Sequence, residues 1–166
     1  LKKPKYPQQL ELIAINRTLS VTYTKTALKG IKLLPTPSQL AIMGNIDDWE
    51  KVRKKLIQYL KQTAFLHFEP WLFRLSAEIK LPIKSLRIRH MRSRWGSCDR
   101  DGNICLNSEL LFLPPELVQH VMLHELCHRK YMSHGPRFWG LLNRFDENCE
   151  GHKKALRKFA QHYSIT

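Results

Sequence analysis

Several things are scarce in this chain, and each scarcity excludes a class of protein. Its 166 residues include only 4 cysteines, at positions 98, 105, 127 and 149, and no two form a C-x-x-C pair. That spacing excludes a zinc ribbon or a thioredoxin-type motif, and four cysteines are too few for a disulfide scaffold. They read as reduced thiols of a cytoplasmic protein. No apolar run approaches the ~20 residues that a transmembrane helix needs. No secretory signal pattern opens the chain, which begins at Leu1 rather than Met. Internal repeats, low-complexity tracts and a convincing linker are also missing. Acidic residues are sparse, with 14 Asp and Glu against 28 Lys and Arg, a formal net charge of +14. The excess runs through both halves of the chain. Such a field attracts polyanions or acidic partners, and a solvated surface explains it equally well.

What is present is an ordinary globular composition, 43% hydrophobic and 25% charged, of a length suited to one domain. The pattern divides it into N-terminal strands over 1–45, a helical connector over 46–80 and a further unit over 84–166. Leu19, Val21 and Tyr23 alternate with Ser20, Thr22 and Thr24, which is the period of a strand. With Ile31 to Leu34 and Leu40 to Met43 they predict a small antiparallel or mixed sheet. At Asp47, followed three residues on by Glu50, the period changes to that of a helix with a capping box. Trp49, Val52, Leu56, Tyr59 and Leu60 carry it to about His67, and Pro70 restarts a second helix through Ile79. Residues 84–90 alternate again. Asp101-Gly102 reads as the centre of a hairpin turn over Asp99 to Asn103, with a return strand after it. Pro114-Pro115-Glu116 opens a strongly apolar helix, and two more helical patterns cover 135–148 and 152–163.

Inside the apolar helix stands His124-Glu125-Leu126-Cys127-His128, an H-E-x-x-H pattern. Residues four apart lie one turn up and about 40° around the helix, so two imidazoles at that spacing can bind one metal ion from one face. Glu125, rotated by about 100°, flanks the ion and reaches its bound water instead. Leu126 points into the core. Zinc suits such a site: a catalytic zinc takes three protein ligands plus one water, whose pKa falls toward ~7. Chance can also place two histidines so, but three polar groups in the middle of a buried helix need a reason to be there. The third donor is His134, six residues after His128 across a turn at Gly135-Pro136, or else Glu147, separated from His128 by eighteen residues, with Asp146 and Glu150 as weaker rivals. His134 is preferred.

Arg94-Trp95-Gly96-Ser97-Cys98, Leu106-Asn107-Ser108, Pro114-Pro115, the H-E-L-C-H stretch and His134-Gly135-Pro136-Arg137-Phe138-Trp139 together resemble the YgjP-like zinc metallopeptidase domain (minigluzincins), which is related to the SprT-like domains. The resemblance implies an α+β, zincin-like fold in which a small N-terminal sheet, connecting helices, a substrate-edge strand, the active-site helix and C-terminal helices form one metallopeptidase domain over 1–166. It implies Zn2+ as cofactor, His124, His128 and His134 as ligands, Glu125 as general base and attack of zinc-bound water on a peptide or protein substrate. It places Trp95, Gly96, Ser97 and Cys98 on the edge strand that binds substrate backbone. Cys98 as a fourth ligand would close the site, and Phe138 and Trp139 read as anchors of the His134 turn. His120 is either a neighbour of the site or a surface residue. Tyr131 and Arg137 are candidates for oxyanion contacts, and 150–166 for a latch. The family usually has Ser where this chain has Gly135. Two alternatives keep the metal: a nucleotide pyrophosphatase, its phosphates held by Arg87, Arg89, Arg92 and Arg94, or a basic nucleic-acid-associated SprT-like protease or binding module.

Overall fold

The computed structural model describes residues 6–160. Four strands open the chain: β1 (Gln9–Leu12), β2 (Arg17–Lys25), β3 (Ile31–Pro35) and β4 (Gln39–Gly44). They form one sheet in the order β1-β2-β4-β3. β1 pairs antiparallel with β2 and β3 with β4, but β2 and β4 run parallel, so the sheet is mixed. The reason lies in composition. Leu40 and Ile42 of β4 are wholly buried, while β3 exposes Lys32, Leu34 and Pro35. The more apolar strand takes the central place beside Leu19 and Val21, and β3 is left at the edge.

A single helix follows. α1 spans Trp49–Glu78 with Pro70 inside it, where the sequence predicts two helices. An internal proline costs about 3 kcal/mol through its lost hydrogen bond and ring clash. Burial outweighs it here, because Val52, Leu56, Leu60, Ala64, Phe68 and Leu72 keep one unbroken stripe in the core across the proline. The N-cap also shifts by one residue. Asp48, not Asp47, accepts the Lys51 backbone N–H, and Asp47 instead pairs with Lys25.

The second sheet contains β5 (Ser85–Arg89), β6 (Gly96–Cys98) and β7 (Asn103–Asn107) in the order β5-β7-β6. β5 runs parallel to β7, and β6 antiparallel to it. β6 is therefore an edge strand. The expected turn joins β6 and β7, and Gly102 takes a positive φ of 91° there. A side chain at that position would meet the guanidinium of Arg129 at 2.9 Å. Arg129 uses the space to donate to the carbonyls of Pro82 and Arg100, which ties the turn to the end of the next long helix. The loop between β5 and β6 is fastened by buried Asn107. Its amide donates to the carbonyls of Met91 and Arg94, and its Oδ1 accepts from the Met91 and Glu109 N–H groups.

Three helices complete the described chain: α2 (Pro115–Cys127), α3 (Pro136–Phe145) and α4 (Cys149–Ala160). α2 begins at its proline as the sequence predicts. Leu110, Leu111, Val118, Met122 and Leu126 join it to the core that α1 and both sheets share. Leu123, Cys127, Phe138, Leu142 and Cys149 form a second apolar cluster among α2, α3 and α4. The predicted last helix extends to 163, and residues 161–163, with His162, lie outside the described residues. No helix among the described residues is long and apolar enough to cross a membrane.

Candidate metal centre

α2 carries His124 in its last turn, and His128 is its C-cap residue, still in helical conformation. The helix ends there because the chain closes a tight turn, in which the Lys130 and Tyr131 N–H groups both bond to the Cys127 carbonyl. That turn brings His134 back over the helix. Trp139 fixes it by donating its indole N–H to the His134 carbonyl at 3.1 Å, and its ring stacks on His134 at 5.8 Å between centroids. Buried Phe138 stacks on His128 at 4.6 Å. Phe138 and Trp139 thus act as the anchors the sequence suggests.

The three imidazoles converge. Their centroids are 5.1 Å (His124–His128), 5.0 Å (His124–His134) and 4.7 Å (His128–His134) apart. One ring nitrogen from each lies within 4.8 Å of the others, and the Nε2 atoms of His124 and His134 are 3.0 Å apart. Two ligands on one zinc at ~2.0–2.1 Å in a tetrahedron are about 3.3–3.4 Å apart, so small adjustments complete the set. His128 donates from Nδ1 to the Tyr131 carbonyl, which leaves the Nε2 lone pair for a metal. Burial, and then the neighbouring His128 and His134, push His124 down to about 3, so it is a neutral donor at ordinary pH. Three imidazole nitrogens with space for one more ligand suit zinc.

Glu125 is 6% exposed and lies between this triad and the sheet. The missing side chain of Gly96 makes its space: a Cβ there would stand 3.1 Å from both Cγ and Oε1 of Glu125. Successive strand residues face opposite ways. Gly96 and Cys98 thus share the face toward Glu125, and Ser97 turns to the outer face. A cavity of about 280 Å³ adjoins the carboxyl, walled by Trp95, Val121, Trp139 and Leu156. Burial raises Glu125 from an ordinary value of 4.5 to about 8, against a weaker downward pull from Arg94. Folded protein stripped of metal by a chelator therefore keeps this proton up to about pH 8, whereas the unfolded chain releases it near 4.5. Folding takes up a proton in that window, and this group's contribution to stability falls as pH rises through it. Urea denaturation of stripped protein should find Glu125→Gln more stable than the parent by about 4 kcal/mol at pH 8 and equal to it near pH 4.

A second group of donors lies one turn earlier. His120 and His152 both donate from Nδ1 to Oδ2 of Asp146, and the Asn148 N–H bonds to its other oxygen. These three donors also lie within 4.8 Å of one another. Burial opposes the charge on Asp146, but the hydrogen bonds from His152 and His120 hold its carboxyl below the usual range. The arrangement clamps α2, the metal helix, to α4 and settles His120 as a buried residue of the site's surroundings. The sequence offers no motif around His152, and Asp146 enters it only as a rival ligand. No spacing signal links residues on three separate elements.

A model of the YgjP-like, metallopeptidase domain matches residues 3–159. The chain belongs to that family. No curated protein and no solved structure matches it. Family membership and the imidazole triad together make this YgjP-like protein a zinc-dependent hydrolase, a metallopeptidase by class. Glu147, the rival third ligand, is in neither donor group and is exposed. Glu150 pairs with Lys153. Cys98 is also outside both groups, and burial, followed by the nearby Glu125, raises its thiol to about 11. Tyr131 contributes its backbone carbonyl to His128, and Arg137 is exposed. Gly135, where the family usually has Ser, caps α3 without a side-chain hydrogen bond. Residues 150–160 form part of α4, of which Lys153, Leu156 and Arg157 line the cavity, and those of 161–166 lie outside the described residues.

Proposed function

We propose that this protein cleaves peptide bonds, with His124, His128 and His134 holding zinc and Glu125 acting as general base, and that 1–166 works as one catalytic domain. The observation that carries the reading is the position of the Glu125 carboxyl, wedged between a free strand edge at Gly96 and three converging imidazoles. Bound zinc supplies Lewis acidity, polarising a carbonyl and drawing the pKa of a water toward ~7. The chain's own groups do the rest. The exposed edge of β6, Gly96 to Cys98, offers backbone N–H and C=O groups to an extended peptide, which adds as a further strand. Trp95 and Trp139 hold a side chain beside the scissile bond. A Glu125 oxygen accepts the proton of the attacking water and passes it to the departing amine nitrogen. Four free thiols, two of them buried, support a cytoplasmic setting.

A nucleotide substrate on the same centre would need phosphate-binding cations beside Glu125. Lys153 and Arg157 line the cavity beside Glu125, but Arg87 and Arg89 do not suit that role. They lie on the face of the sheet shared with Ser97 and Cys105, across it from Glu125. The test is a parallel assay of unstructured protein and nucleoside triphosphates, with chelator controls. Peptide cleavage that stops on metal removal supports the proposal, and phosphate release alone refutes it. Within the same assay Gly96→Ala should lower turnover about 10–100-fold, because a sub-ångström to 1 Å displacement of a catalytic group has effects of that order. Metal content should stay near that of the parent.

A further inference from the structure

The outer face of the second sheet carries a feature that the hydrolytic site does not use. A groove of about 700 Å³ runs over β5 and β7, with Arg87 and Arg89 on one side and Arg92 and Arg94 on the other. All four arginines are exposed, and none forms an ion pair among the described residues. Arg87 and Arg89 stand two apart on one strand, about 6.6 Å along it. The opposite side is not a loose loop, because the Asn107 amide holds the carbonyls of Met91 and Arg94. Asp99 is the one acid on the lining, and its carboxylate is committed to the backbone and side-chain N–H groups of Asn103.

We propose that this groove binds the phosphodiester backbone of a single nucleic-acid strand, independently of the metal centre. Guanidinium groups match phosphate oxygens in planar, two-point contacts and stay charged at any working pH. Their repeat along β5 suits a chain of regularly spaced anions. The net charge of +14 extends the attraction beyond the groove. No Phe, Tyr or Trp lines the groove and His90 supplies its one ring, so the bases have no broad stacking platform and contact is chiefly with the backbone. An acidic peptide fits less well, since protein partners are held by buried apolar anchors and the lining offers only Met91 and Ile104.

The test is fluorescence anisotropy of labelled 20-nucleotide single strands with the full chain, before and after chelator treatment. Four phosphate contacts give a slope of about −2.8 in log K against log salt, hence about 50-fold weaker binding at 200 mM than at 50 mM salt. Arg87→Ala with Arg89→Ala should halve that slope, to about −1.4, and Arg92→Ala with Arg94→Ala should do the same. Lys54→Ala with Lys55→Ala, exposed on α1, serves as control and should leave the groove's share of the slope unchanged. Strands of different base composition should bind alike, and metal removal should change nothing. Either arginine pair leaving the slope intact would overturn the proposal. So would polyglutamate of equal charge displacing the strand as well as unlabelled strand does, which would make the groove a site for acidic peptide. Because the stripped protein is tested as well, these outcomes stand apart from the fate of the peptidase assignment.

Discussion

Replacing Glu125 by Gln should lower hydrolysis by about 10²–10⁴-fold while the protein still takes up one zinc per chain. Gln keeps the size and much of the packing of the buried side chain but cannot accept a proton. The site is arranged so that this difference falls on chemistry. Glu125 faces Gly96 and the cavity, and it belongs to neither group of metal donors. Its burial, which holds the proton to about pH 8, places its basicity near the range where a general base is most effective. Zinc content by elemental analysis, with turnover of an unstructured protein substrate, checks both halves. Full activity in the variant would remove Glu125 from the reaction, and loss of the metal would make it structural.

Replacing His134 by Ala should abolish zinc uptake at micromolar metal and lower turnover by at least the same factor, while the stripped protein keeps its melting temperature. His134 is the informative ligand to remove because it is exposed and sits on a turn, so little core packing goes with it. The anchors of that turn remain in the variant, since the Trp139 indole bonds to the backbone of residue 134 and Phe138 packs on His128. Removing one of three protein donors from a zinc site leaves two, fewer than catalytic sites use. Glu147→Ala is the matched control. Exposed and outside the donor groups, it should bind zinc and turn over like the parent. Dye competition for zinc and thermal melts of stripped protein separate the two variants.

The active-site helix was readable from residues alone, because an H-E-x-x-H run inside an apolar stripe states both its fold and its chemistry. Pro115 marks the start of that helix and Asp101-Gly102 the hairpin turn, each through local rules of backbone, and His134 joins the other two imidazoles in one cluster. The misreadings arose where tertiary packing overrode such rules. Pro70 reads as a break, yet the core stripe from Val52 to Leu72 carries the helix through it. Asp47 and Asp48 are both acceptable caps by type, and the pairing of Asp47 with Lys25, 22 residues away, decides between them. The parallel β2–β4 pair depends on which strand is more apolar on the face it buries, a comparison between distant segments. The Asp146 clamp and the Asn107 fastening join residues remote in sequence. Neither leaves a periodicity or motif to read.

X-ray absorption at the zinc edge of the metal-loaded protein addresses the centre most directly. The account expects three imidazole nitrogens at about 2.0–2.1 Å and one further light-atom ligand that exchanges with solvent. A first shell of two nitrogens with a protein carboxylate, a sulfur from Cys98, or no stoichiometric zinc uptake would contradict it.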